Sequence, residues 1–118
     1  MQIEQVILNL VRNGFEATAS REDQESELRE VVIRTARAGR GAEISVSDTG
    51  SGMSPEVAAR LFEPFFTTKR DGLGLGLSIS RSIVEAHDGR LWASANVPRG
   101  ATFHVELPPP RGARGVAA

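Results

Sequence analysis

The sequence predicts an α+β two-layer sandwich, in which a mixed, mostly antiparallel sheet packs on one layer of helices. Three observations point there. The chain opens with an apolar stripe at helical spacing, Ile3, Val6, Ile7, Leu10 and Val11. Two pairs of short strand-like runs follow, each pair joined by a glycine-bearing turn, and a second helical run lies between the pairs. With 118 residues there is room for one core and no more.

Taken in order, Met1 to Ala19 reads as the first helix. Ser20 to Glu30 (SREDQESELRE) is almost wholly polar and reads as a solvated connection. Val31 to Thr35 and Ala42 to Asp48 read as strands turned through Ala38-Gly-Arg-Gly41. At Ser54-Pro55-Glu56 a capping serine, a proline at the first helical position and an early acid mark a helix start. Another helix begins inside the glycine run before Ile79, continues to Ala86 and stops near Gly89. Leu91 to Asn96 and Ala101 to Leu107 form the closing strand pair, joined through Pro98-Arg-Gly100. The expected domain is 1–108, with 109–118 a disordered tail rich in Pro, Gly and Ala.

Composition excludes several classes. A formal net charge of -1 offers no electrostatic footprint for nucleic acid, and no basic run suits a membrane surface. The absence of cysteine removes thiolate nucleophiles, disulfides and zinc-cysteine sites together. Without a long apolar run or a secretory pattern, the expected place is the cytoplasm.

Several polar positions break the local rules. Asn9, Asn13 and Glu16 share one stripe of the first helix. A wet helix face would look similar, but asparagine is a poor interior helix former, and two on one stripe suggest oxygens aimed at magnesium. In Ile44-Ser-Val-Ser-Asp48, alternation puts a carboxylate where a third core residue belongs. A buried carboxylate needs donors; the alternative is an aspartate simply opening the turn Thr49-Gly-Ser-Gly52. Finally, Gly72-Leu-Gly-Leu-Gly76 sets three glycines at alternate positions, costly unless the backbone itself must approach something closely. The Gly-Lys-Ser/Thr of a P-loop is absent, as are the buried strand before a dinucleotide fingerprint and the partner motifs of protein kinases. What remains is a plain hinge or a flexible loop feeding a helix N-terminus suited to phosphate.

Together these stretches resemble the catalytic, ATP-binding domain of bacterial sensor histidine kinases, within the superfamily shared with type II topoisomerases, heat-shock chaperones and mismatch-repair ATPases. Asn9-Leu-Val-Arg-Asn13-Gly-Phe-Glu-Ala17 resembles the N box, most closely that of kinases of the nitrogen-regulation and oxygen-sensing type. Asp48-Thr-Gly-Ser-Gly-Met53 resembles the first glycine box, Leu61-Phe-Glu-Pro-Phe-Phe-Thr-Thr-Lys69 the phenylalanine box, and Gly72-Leu-Gly-Leu-Gly-Leu77 the second glycine box. Gly100-Ala-Thr-Phe103 extends the likeness almost to Pro108. The fold implied is of the Bergerat ATP-binding type, with the family's first strand expected to be missing ahead of Met1.

The resemblance implies a role for each matching residue. Asp48 would accept from the adenine amino group, with a water shared by Thr102. Asn13 would bind magnesium, and Gly50 and Gly52, next to Met53, would let the purine pack close. Phe62 would open a mobile lid that runs to Asp71, with Lys69 a γ-phosphate contact. Gly72, Leu73, Gly74, Leu75, Gly76 and Leu77 would wrap the phosphates. Asn9 stands where hydrolytic relatives place a glutamate base, and a neutral amide cannot take a proton from water at pH 7. Asn9 and Lys69 are thus the candidates for the transfer itself. The implied cofactors are ATP and Mg2+. The implied partners are a histidine-bearing dimerisation domain, in cis or trans, and then a response regulator. Two alternatives stay open: an ATP-hydrolysing member of the superfamily, and a regulatory nucleotide-binding module without chemistry. Of the two histidines, His87 reads as a helix-end residue and His104 as a solvated strand residue, so neither resembles the acceptor.

Overall fold

The computed structural model describes residues 2–19, 30–66, 76–97 and 99–109. In chain order these form α1 (Gln2–Ala19), β1 (Val31–Ala38), β2 (Gly41–Asp48), α2 (Pro55–Arg60), α3 (Gly76–Ala86), β3 (Arg90–Ala95) and β4 (Ala101–Leu107). The strands make one sheet in the order β1-β2-β4-β3. Every pairing among the described strands is antiparallel.

One face of this sheet carries α1 and α3. Val6 and Leu10 of α1 and Val84 of α3 are fully buried against Val46, Leu91, Phe103 and Val105. Ile3, Ile7 and Val11 flank that core, as the stripe predicts. The stripe runs further than its apolar letters: Gly14 and Thr18 continue it at the same spacing and are also buried. Thr18 settles its hydroxyl by donating to the Phe15 carbonyl at 2.9 Å, one turn back.

Local signals hold at α2. Ser54 is its N-cap, with extended φ/ψ, and its hydroxyl accepts from the Val57 amide at 3.2 Å. β1 is longer than the five residues expected, reaching Ala38, which pairs with Gly41. It is an edge strand and mostly exposed, so Arg34 and Arg37 are compatible with it although they break the apolar pattern.

The end of α3 differs in detail from expectation. Asp88 takes the left-handed conformation (φ 63°), and the Gly89 amide reaches back to the Val84 carbonyl at 3.0 Å while Asp88 bonds Glu85 at 2.9 Å. That is a Schellman closure with aspartate in glycine's usual place. Gly89 serves the packing instead. A Cβ there would collide with the Glu106 carbonyl oxygen, so glycine lets the chain press against β4. Of the polar connection only Glu30, and of the tail only Pro109, falls within the described residues.

Candidate nucleotide-binding site

Asp48 ends β2 on the core side of the sheet, in phase with Ile44 and Val46, and is only 5% exposed. Its donors are backbone amides. Oδ1 accepts from Gly50 at 2.8 Å and from Ala101 at 3.3 Å. Burial pushes the Asp48 carboxyl above its ordinary range, and the amides of Gly50 and Ala101 offset part of that rise. A carboxylate placed at such cost is suited to accept from an N–H group of a ligand.

Glycines bring three segments against it. At Gly14 of α1 a Cβ would lie 3.1 Å from a Val31 methyl and 3.6 Å from the Asp48 Cβ, so the helix rests directly on the aspartate. At Gly50 it would stand 2.6 Å from the Ala17 Cβ and 2.7 Å from its carbonyl carbon. The expected reason for Gly50, close packing of a purine, is therefore not the first one: its hydrogen faces α1. Gly52 holds φ 83° and Gly100 φ 99°, which side-chain-bearing residues rarely adopt. A Cβ on Gly100 would collide with the Asp48 carbonyl oxygen.

The N-box amides meet the beginning of α3. Asn9 and Asn13 are half-buried on one stripe of α1, with Glu16 exposed beyond them. The Asn9 Nδ2 donates to the hydroxyl of Ser80, which is 3% exposed on α3, at 3.1 Å. A Cβ on Gly76 would come within 3.1 Å of both polar atoms of the Asn9 amide. The last glycine of the second glycine box thus opens α3 beside Asn9, where the helix's first amides lack intrahelical acceptors.

Other expected site residues are distributed differently. Thr102 is not brought to Asp48. It pairs with Ser47 on the opposite face of the sheet, where its hydroxyl lies 2.9 Å from the Ser47 hydroxyl and donates to the Asn96 Oδ1 at 2.7 Å. Its neighbour Ala101 reaches the aspartate instead, through its amide. Met53, Phe62 and Leu77 turn their side chains toward the core. Phe62 meets Phe103 edge-on, centroids 6.5 Å apart, and the Arg81 guanidinium sits 5.1 Å above its ring. Phe62 is therefore packed against the core, and of the strip expected to form the lid only 62–66 lie within the described residues. Lys69, Gly72, Leu73, Gly74 and Leu75 lie outside the described residues.

Gly14, Ser80, Asn96 and Ala101 escape a reading of the sequence. A glycine inside a helix costs about 1 kcal/mol relative to alanine, and that cost is the signal that could flag Gly14. Ala101 contributes only its amide and leaves no mark in the sequence.

Among the described residues no group of three or more His, Cys, Asp or Glu is placed to hold a metal ion. The half-buried Asn13 carries an amide oxygen, a donor of the kind magnesium takes beside phosphate oxygens and water. The histidines are committed elsewhere. The His87 Nδ1 lies 2.9 Å from the Ile83 carbonyl at the end of α3. On the outer face of the sheet, His104 stacks on Trp92 and lies 3.1 Å from Glu43 and 2.9 Å from the Ser94 hydroxyl.

Known proteins resemble this chain in sequence and in overall fold. Residues 1–111 match the family described as histidine kinase-, DNA gyrase B-, and HSP90-like ATPase. The chain is 54% identical over 108 residues to the sensor protein FixL of Bradyrhizobium diazoefficiens, covering 92% of this chain and 21% of FixL. It is 48% identical over 109 residues to the C4-dicarboxylate transport sensor protein DctS of Rhodobacter capsulatus, covering 92% of this chain and 16% of DctS. The chain thus spans about a fifth or less of the length of these relatives. Among solved structures, the nucleotide-free catalytic domain of histidine kinase ThkA superposes with a TM-score of 0.74 at 38% identity, covering 91% of this chain and 66% of that one. Full-length ShkA in complex with AMPPNP gives 0.75 at 31% identity, covering 91% and 21%.

Proposed function

The chain belongs to the histidine kinase-, DNA gyrase B-, and HSP90-like ATPase family as a histidine-kinase ATP-binding catalytic domain, and from that premise we propose that it binds Mg-ATP and passes the γ-phosphoryl group to a histidine on a separate dimerisation domain. A response regulator would then receive the group. The work would take place in the cytoplasm; no helix among the described residues is long and apolar enough to cross a membrane.

The observation that carries this reading is Asp48: a buried carboxylate whose Oδ1 is occupied by two amides of its own chain. Such a group favours a ligand that offers an N–H, as adenine does through its amino group and guanine, with an oxygen at that position, does not. The phosphates would run toward the N-terminus of α3, where the first-turn amides and the helix dipole favour negative charge. Magnesium, when bound, would neutralise phosphate charge, with Asn13 as a protein oxygen. Asn9 supports transfer over hydrolysis. Its Nδ2 is engaged by Ser80, and an amide has no basicity with which to activate water.

Calorimetric titration with ATP, with and without magnesium, followed by addition of a separate histidine-bearing domain tests the proposal. Metal-dependent binding and acid-labile phosphate on the added domain are expected. Steady release of inorganic phosphate with no acceptor present would assign the chain to the hydrolytic members instead.

A further inference from the structure

Asn96 forms an unusual set of bonds beside the site. Its Nδ2 donates to the Asp48 carbonyl oxygen at 3.0 Å and to the Ser47 hydroxyl at 3.1 Å. Its Oδ1 accepts from the Thr102 hydroxyl at 2.7 Å, and its own amide donates to the Gly100 carbonyl at 2.9 Å. The side chain thus joins the end of β2 to the beginning of β4, while the main-chain amide of the same residue closes the turn between β3 and β4.

The reason such a brace is needed lies in the register. β2 and β4 pair regularly from Ala42 with Leu107 to Ser47 with Thr102, and there the ladder ends. Continued by one step, it would set Ala101 opposite Asp48. The Ala101 amide is instead diverted to the Asp48 carboxylate. The Asp48 carbonyl would be left without a donor from β4, at a point where Gly100 already presses upon it. Asn96 supplies the donor that the strand gives up.

We propose that Asn96 is a positioning residue for base recognition: by holding the Asp48 main chain from the β4 side, it frees the Ala101 amide to fix Oδ1 and so aims the carboxylate at the adenine amino group. This inference rests on the nucleotide-binding reading of Asp48. It assigns Asn96 no contact with the nucleotide itself.

The test is a double-mutant cycle on the full chain, read by calorimetric titration with metal-free ADP and GDP and by the thermal midpoint of the free protein. Asn96→Ala should weaken ADP binding about three- to tenfold, the scale of one hydrogen bond, and narrow the preference for ADP over GDP. In an Asp48→Ala background the same change should have no further effect on ADP affinity. Asn96→Asp keeps the acceptor for Thr102 and the backbone turn but sets an anionic oxygen, in place of the Nδ2 donor, against the Asp48 carbonyl, and should reproduce the loss of preference even if Asn96→Ala folds poorly. Ser47→Ala should retain wild-type affinity. If Asn96→Asp binds ADP and GDP as the wild type does, or if its effect persists in full without Asp48, Asn96 is merely part of the turn and the proposal fails. Failure of the underlying reading looks different: a wild-type chain that does not prefer ADP, or an Asp48→Ala chain that keeps the preference.

Discussion

Replacing Asp48 by asparagine should separate stability from recognition. The substitution is nearly isosteric, and its amide oxygen can still accept from Gly50 and Ala101, so the local frame is kept. What changes is charge. Burial raises the Asp48 carboxyl more than the two amides lower it, so the fold favours the neutral form more than the unfolded chain does. The folded state therefore holds its proton to higher pH than the unfolded chain, and the wild type loses stability as pH rises through the window between the two values. The window begins at the ordinary carboxylate value and extends upward. Asp48→Asn removes this dependence and should melt at or above the wild-type temperature at pH 7, with the difference closing as pH falls.

Nucleotide binding should move the other way. A hydrogen bond to a charged group contributes about 1.5–3 kcal/mol, and each 1.4 kcal/mol is about tenfold. ATP affinity should therefore fall roughly ten- to a hundredfold, since the carboxamide would turn an N–H toward the adenine amino group. The assays are a thermal melt of the free chain from pH 4 to 8 and a calorimetric titration at pH 7. Wild-type affinity in Asp48→Asn would refute the acceptor role. A wild type that gains stability relative to Asp48→Asn as pH rises would refute the argument from burial.

Three further outcomes follow from the same geometry. Asn13→Ala should weaken Mg-ATP binding roughly tenfold while leaving metal-free ADP much less affected; equal losses in both titrations would move Asn13 out of the metal's reach. Gly50→Ala should destabilise the free chain by about 1–3 kcal/mol, because its methyl would stand 2.6 Å from the Ala17 Cβ, and an unchanged urea midpoint would contradict the contact. Incubated with labelled Mg-ATP, the purified chain should acquire no acid-labile, alkali-stable phosphate, since His87 is bonded at a helix end and His104 lies on the face opposite the site. Label that disappears in His87→Ala or His104→Ala would overturn that expectation.

How far the sequence can be read depends on whether a feature is local. The α1 stripe, the Ser54 cap and the alternation of β2 each arise within a few residues, and each is legible. So is the oddity of Asp48, because a carboxylate in core phase is visible in five letters. Its partners are not, since the Ala101 amide lies 53 positions away and belongs to an alanine whose side chain is irrelevant to the bond. Glycines are conspicuous but ambiguous: the same residue serves a left-handed turn at Gly100 and a tight approach of backbone to helix at Gly50.

Thr102 is the instructive miss, because the information that places it is present in the sequence. Phe103 and Val105 are apolar and face the helices, so the period of two sends both Thr102 and His104 to the outer face. His104 follows that parity in the sequence reading, whereas the role expected of Thr102 comes from its position in the family motif and ignores it. The same parity puts only the Ala101 side chain on the inner face; its amide reaches Asp48 through the register of β4 against β2, which parity does not give. A role carried over from relatives should therefore pass the pleat first: on a strand, a shift of one residue moves a group to the other side of the sheet, out of reach of any ligand bound on the first.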